Sequence, residues 1–441
     1  MSSDNSTLLG VVLMVRHGDR AGFYQDPLTY AASHTTITPL GAEQELALGA
    51  LLRQRYLNST SSNHIASMST GLANDSQIVV RTDSGDEGGV IYASANALLQ
   101  GMFPPTSSAN TTLSNGTTVT APLGGYQYIP VDAVNSAIDV ELEGFTSCNT
   151  YTSHVSKFYN STFFSQKQNE SAAFLNTLPP YLDGRPVTLE NMWNIFDFMN
   201  VNSIHNATFN NSLPSTYLAQ ARDLANWHEY NTFSDPSIDG IGNIAMRTML
   251  PSVITQLQAV ANSSNPTSFV LEAISYKPFL SLFNQTGIAE QNTSLAGIVN
   301  YAGAVALEVR SPADGGEPML RFLFKNGTDD ADFNQYGLLG SSGDVELSKF
   351  VNTLNPTAVN TTAEWCTTCS NTVSRGCGAL QLATQQGREQ AAVHQPISPV
   401  GAGFLGAGLT IFVFIVMLGV LAFLGLLTFG RRPRGYKTEK A

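Results

Sequence analysis

Leu8-Leu9-Gly10-Val11-Val12-Leu13-Met14-Val15-Arg16-His17-Gly18-Asp19-Arg20 decides how this chain is read. The run is rich in Val and Leu and does not alternate with polar residues. That pattern predicts a strand buried on both faces, as in a parallel sheet. Its first charges arrive where the strand should end, and in open α/β sheets ligands bind at that edge. A histidine between two arginines is an odd end for a structural strand. It makes sense if the edge holds a dianion. Forked guanidinium donors match phosphate oxygens in pairs. A neutral imidazole nitrogen attacks phosphorus without charge repulsion and can carry the phosphoryl group covalently. The positive field of the arginines favours the uncharged form of His17.

The chain has 441 residues, room for one large domain or two small ones. Charged residues make up 13%, about half the usual share. A net charge of −12 argues against a nucleic-acid partner. It also excludes a globally cationic trap for phosphate, so any anion site has to be local. Asn-x-Ser/Thr triplets recur from Asn5 to Asn360, spread along the whole folded region. They predict N-glycans and a secretory route. Cys148, Cys366, Cys369 and Cys377 admit three pairings. Cys366 and Cys369 have the spacing of a zinc or redox pair, but the chain offers no second ligand pair nearby. Two disulfides in an oxidising compartment are therefore expected. No metal and no organic cofactor is implied.

Gly403 to Gly430 carries no charge. Phe404 to Phe429 as a helix would be about 39 Å long, enough to cross a bilayer core of about 30 Å. Arg431, Arg432, Arg434 and Lys437 follow, which places the C-terminal tail, 430–441, in the cytosol. Met1 to Asn5 is polar and no leader is visible. Either a leader has been removed or omitted, or the anchor is the only targeting signal and the domain is cytosolic. The sequons and cysteines favour the first, with an extracellular or luminal domain. The domain should span 1–365, with a cysteine-containing end and stalk at 366–403. Within it, Thr38 suits an N-cap and Pro39 the first position of a helix. Ser107 to Thr120 reads as a loop. Asp132 to about Gln258 reads as mostly helical, with Trp193, Phe196, Phe198 and Met199 as one core stripe. His205 reads as structural, and Trp227-His228-Glu229 as a helix surface or its end.

Several separated motifs share one resemblance. Arg16-His17-Gly18-Asp19-Arg20 after an apolar strand resembles the signature of the histidine phosphatase superfamily. Thr38-Pro39-Leu40-Gly41-Ala42-Glu43-Gln44, then Val80-Arg81-Thr82-Asp83, Ser94-Ala95, Phe103-Pro104-Pro105 and Asn202-Ser203-Ile204-His205-Asn206 are similar to its larger branch, the acid phosphatases and phytases. The resemblance runs from about Leu8 to Leu354. It implies an α/β, phosphoglycerate mutase-like three-layer domain with a mixed central sheet. It also implies a smaller helical domain inserted at about 125–260. It implies an acid phosphatase-like phosphomonoester hydrolase with His17 as nucleophile and Arg16, Arg20 and Arg81 as phosphate clamp. The family ties its helical domain to the C-terminal region, which implies Cys148–Cys377 alongside Cys366–Cys369.

One family motif is missing. The branch ends a late strand with His-Asp or His-Ala-Glu, which supplies a clamp histidine and the acid that protonates the leaving oxygen. In Phe269-Val270-Leu271-Glu272-Ala273-Ile274-Ser275, the altered positions are Ile274 and Ser275. Ser84 to Val90 also replaces a second arginine with acids and glycines. Glu272 lies two residues before Ile274 and so on the same strand face. Glu272, Asp83, Asp86 and Glu87 are the possible substitute acids. Lys277 could add a phosphate-binding cation or belong to a loop. Losing a general acid costs about 10²–10⁴ in rate, less where the leaving group is an aryl oxide. Three outcomes stay open: a substitute acid, a weak phosphatase confined to activated esters, or a pseudoenzyme that serves as a glycosylated surface or phospho-ligand-binding protein.

Overall fold

A computed structural model describes residues 6–21, 35–84, 89–134 and 137–393, and beyond them 410, 413–418, 420, 421 and 424. Met1–Gly378 forms one compact unit and Ala379–Ala441 another. The first carries everything described below about the site.

The opening apolar run forms strand β1, Thr7–Arg16. Then come β2 (Ile78–Asp83), β3 (Asn110–Thr112), β4 (Thr118–Thr120), β5 (Asp132–Val134), β6 (Phe269–Ile274), β7 (Ala304–Ser311), β8 (Met319–Lys325), β9 (Asn334–Tyr336) and β10 (Val345–Glu346). The main sheet runs β10-β8-β7-β1-β6-β2-β5, with β9 also on β8. β1 is parallel to β6 and antiparallel to β7, so the sheet is mixed rather than all parallel. Its centre is covered on both sides, as an apolar strand without alternation requires. Val11, Leu13 and Val15 share a core with Leu48 and Leu52 of helix α1 (Pro39–Leu52) and Leu98 of helix α2 (Val90–Met102). Val12 and Met14 share the opposite core with the helices that follow β5.

Those helices are α3 (Asn149–Tyr159), α4 (Thr162–Leu175), α5 (Met192–His205), α6 (Tyr217–Thr232) and α7 (Leu250–Ala261), with α8 (Lys277–Gln285) after β6. Trp193, Phe196, Phe198 and Met199 of α5 are all buried in this core. Val253, Ile254 and Leu257 of α7 lie in the same core as Val12 and Met14, so α7 joins the helical layer to the sheet.

Three expectations are corrected. The stretch read as a loop at Ser107 to Thr120 contains the exposed hairpin β3–β4. Asn115-Gly116 sits at its turn, where Gly116 has φ of 84°. Asp132–Val134 forms an edge strand beside β2 rather than the first part of a helix. The disulfides are Cys148–Cys369 and Cys366–Cys377, not the expected pairs. Cys366 and Cys369 lie one turn apart at the end of helix Thr362–Thr368. The carbonyl of Cys369 accepts from Asn149 N at 3.0 Å at the start of α3, which brings Cys369 to Cys148. Among the described residues no helix is long and apolar enough to cross a membrane. The expected anchor at Phe404 to Phe429 lies mostly outside the described residues.

The two bridges close loops of very different length, with sequence separations of 221 and 11. On the chain-entropy account the long loop is worth roughly 2–3 kcal/mol more. Replacing Cys148 and Cys369 by Ser should therefore lower urea stability by about that much more than replacing Cys366 and Cys377. The reverse order would show that the stabilisation is not set by loop closure.

Candidate active site

The end of β1 is held by segments far apart in the sequence. Gly18 N donates to Ser94 Oγ of α2 at 3.0 Å, and Asp19 N donates to Gln44 Oε1 of α1 at 2.9 Å. Thr38 caps α1 by accepting from Gly41 N at 3.1 Å, and its own N donates to Asp19 O at 3.1 Å. Gly18 and Gly41 meet backbone to backbone. A Cβ on Gly18 would stand 2.4 Å from Gly41 O, and one on Gly41 would stand 2.2 Å from Asp19 O. Both motif glycines are thus explained by one contact.

Asp19 is fully buried. Its Oδ2 accepts from Thr38 Oγ1 at 2.5 Å and pairs with His205 Nε2 at 2.7 Å. His205, at the end of α5, thus ties the helical layer to the motif loop. His17 Nδ1 lies 2.7 Å from its neighbour's carbonyl, Gly18 O. A carbonyl only accepts, so Nδ1 carries a proton in this contact. The imidazole is 1% exposed. It lines a small cavity with Glu45, Ser94 and Leu98. The ring of Tyr301 packs against it at 5.6 Å between centroids.

The main pocket, about 210 Å³, opens beside this strand end. Arg16, Arg20, Arg222, Tyr276, Tyr301 and Asp197 are among its walls. Arg16 Nη1 donates to Val299 O, and its guanidinium lies over Tyr301 and Tyr276, 4.6 and 5.1 Å from the ring centroids. Arg20 Nη2 donates to Asp197 Oδ1 at 2.9 Å. His17 is not part of the pocket wall, but its neighbours Arg16, Arg20 and Tyr301 are.

Arg81 is elsewhere. It lies on β2, separated from β1 by β6, and its Cα partner is Glu272, two residues short of Ile274 beside Arg16. Its Nη1 donates to Ser252 Oγ of α7 at 2.6 Å and its Nη2 to Glu141 Oε2 at 2.8 Å. Glu272 Oε1 lies 3.6 Å away and also accepts from Ser252 Oγ at 3.0 Å. Half-buried Arg81 and fully buried Glu272 thus form an ion group against α7, and neither lines the main pocket. Burial pushes the Glu272 carboxyl up to about 7, against a smaller opposing pull from Arg81. Asp83 is buried at the end of β2 and does not line the pocket either. Asp86 and Glu87 lie outside the described residues. Ile274 and Ser275 are buried at the end of β6. Lys277 starts α8, is 1% exposed, and holds its ammonium 4.5 Å from the Phe145 ring centroid.

Four features escaped the sequence reading. Arg222 reaches the pocket from α6. Asp197 and Asp329 are the carboxylates on its wall. Glu45 is 1% exposed behind His17, and burial holds its carboxyl well above the usual range. Trp227-His228-Glu229 is not a surface: His228 and Glu229 are fully buried. Tyr159 Oη meets His228 Nε2 at 2.8 Å, His228 Nδ1 meets Glu229 Oε1 at 2.7 Å, and Tyr276 Oη donates to Glu229 Oε2 at 2.6 Å. This chain of bonds fixes the tyrosine over which Arg16 lies. The signal for it was available, since Ala221, Leu224 and Ala225 put an apolar face beside His228. Among the described residues, no three His, Cys, Asp or Glu side chains are placed to hold a metal ion.

A model of the histidine phosphatase superfamily (branch 2) matches residues 22–325. Among curated proteins, none matches the chain. Solved structures of similar fold include the phytase of Klebsiella sp. ASR1, with TM-score 0.56 and 13% identity over 80% of this chain and 96% of that one. The phytase of Citrobacter braakii gives 0.55 and 12% over 81% and 99%. Hafnia alvei phytase in complex with tartrate gives 0.54 and 11% over 81% and 98%. At such identities the likeness is one of fold.

Glu272 generates a prediction with a definite sign. Its carboxyl binds a proton more tightly folded than unfolded, with values of about 7 and 4.5. Its burial therefore costs nothing below pH 4.5, costs more as pH rises to about 7, and is constant above. Glu272→Gln should match the parent in urea stability near pH 4 and exceed it by up to about 3 kcal/mol at pH 8. A difference that does not grow with pH would contradict this picture.

Proposed function

The chain belongs to branch 2 of the histidine phosphatase superfamily, and from that premise we propose that it hydrolyses phosphomonoesters through a phosphoryl group carried on His17. The observation that carries this reading is the strand end itself. The His17 imidazole, with its Nδ1 on Gly18 O, packs against Tyr301, which lines one pocket together with Arg16 and Arg20. Nε2 attacks phosphorus, the ester P–O bond breaks, and its electron pair leaves with the alcohol oxygen. Water then attacks phosphorus, the N–P bond breaks, and phosphate leaves. Arg16 and Arg20 neutralise the phosphoryl oxygens as charge moves onto them. Ordered guanidiniums in a partly desolvated pocket act more strongly than in water.

The leaving oxygen is the weak point. Glu272 is held by Ser252 and Arg81 away from the pocket, and Ile274 and Ser275 offer no acid at the strand end. Of the two carboxylates on the pocket wall, Asp197 accepts from Arg20 and Asp329 from Asn300, so the favoured substrate is an ester whose alcohol leaves without protonation. The pocket volume, about 210 Å³, lies below the roughly 300–1,000 Å³ of sites that enclose larger ligands. That supports a single phosphomonoester rather than a many-phosphate substrate. A second reading, a phospho-ligand-binding protein without turnover, is favoured by Ile274, Ser275 and the 1% exposure of His17.

We place this domain on the extracytoplasmic side of a membrane, held by Phe404 to Phe429. Two disulfides support that side. So do the sequon asparagines, of which Asn58, Asn74, Asn115, Asn160 and Asn360 are exposed.

The purified full chain should turn over p-nitrophenyl phosphate at acidic pH and form an acid-labile phosphoenzyme, and His17→Ala should abolish both. Aryl phosphomonoesters should be turned over about 10²–10⁴-fold faster than alkyl ones. Equal rates on both would show that a proton donor is present after all. No turnover above His17→Ala would leave the binding protein.

A further inference from the structure

Resting on the phosphomonoesterase reading, we infer that Arg222 is the third guanidinium of the phosphate site, in the place that the sequence resemblance assigns to Arg81. Arg222 lies on α6 and lines the main pocket with Arg16 and Arg20. It is held by one edge: Nη2 donates to Ile298 O at 3.1 Å and to Asn300 Oδ1. Arg16 donates to Val299 O, the next carbonyl along. Adjacent carbonyls belong to residues about 3.8 Å apart, so one loop draws the two cations together from different layers.

Two like charges side by side in a half-buried pocket are unfavourable unless something negative is shared. Among the described residues the carboxylates that act on Arg222 are Asp329 and Asp223, both exposed to solvent. Asp197 is engaged by Arg20 at 2.9 Å, and Asp329 is exposed on the rim. Burial first, and then the charge of Arg16, lower the pKa of Arg222. A purely structural anchor needs only the Nη2 edge. Among the described residues Nε and Nη1 of Arg222 have no acceptor, while the guanidinium carbon rests 5.6 Å from the Phe196 ring centroid. That leaves a fixed pair of N–H groups for a bidentate anion contact. Arg81, by contrast, spends its donors on Ser252 and Glu141 beside Glu272.

The test is the affinity for inorganic phosphate, read by calorimetry on the full chain, with the KM for p-nitrophenyl phosphate alongside. Arg222→Gln keeps a donor for the Ile298 carbonyl and should weaken phosphate binding about 10–100-fold, with KM rising in parallel. Arg222→Lys keeps the charge but not the fork, and should weaken it about 3–10-fold. Phosphate affinity within about twofold of the parent in a folded Arg222→Gln overturns the inference, and so does no measurable phosphate binding by the parent. If Arg222→Gln does not fold, Arg222→Lys decides: parental affinity overturns the inference and the weakening upholds it. The two claims fail separately. Weakened phosphate binding in the variants of a parent that turns nothing over leaves the clamp and removes the hydrolase. Turnover with unchanged affinity in the variants does the reverse.

Discussion

Gly18 and Gly41 touch backbone to backbone, and no side chain fits between them. This contact sets where β1 stops and where α1 begins. It brings Thr38 and Gln44 onto Asp19, and with Ser94 of α2 it fixes the peptide after His17. The imidazole then has little freedom left, because its Nδ1 is spent on Gly18 O. A Cβ at either glycine would push against main chain, which cannot yield as a flexible side chain can. The placement of the His17 imidazole follows from a steric constraint rather than from attraction.

The second constraint is where buried charge can be balanced. Burying a guanidinium without a partner is costly. Arg81 meets this with Glu141 and Glu272, and by doing so leaves the site. Arg20 meets it with Asp197, yet keeps a face on the pocket. Arg16 donates to a carbonyl and lies over two aromatic rings. Tyr276 is in turn kept in place by Glu229, His228 and Tyr159.

The strand and the capped helix were legible because each rests on local pattern, whereas the convergence of Ser94 and Gln44 on the motif loop is a tertiary contact that no local pattern announces. The central strand's apolar run has one stable place in a layered sheet. The clamp was less legible. Arg81 carries the right residue type in the right motif, but its register leaves it level with Glu272 and not with Arg16. Register between strands far apart in sequence is not written in either strand alone. Arg222 gave no signal, because nothing local marks one arginine on a polar helix as facing a pocket. The cysteine pairing failed for a related reason. Cys366 and Cys369 look like partners in the chain, but one helical turn aims Cys369 at the start of α3.

On the proposed mechanism the imidazole at the end of β1 accepts a phosphoryl group. Vanadate adopts the five-coordinate geometry of that transfer, so a crystal structure of the full chain soaked with vanadate tests the claim directly. Vanadium should be bonded to His17 Nε2, with its equatorial oxygens on Arg16 and Arg20. Vanadate held in the pocket by the arginines but not bonded to the imidazole, or absent from the pocket altogether, would contradict it.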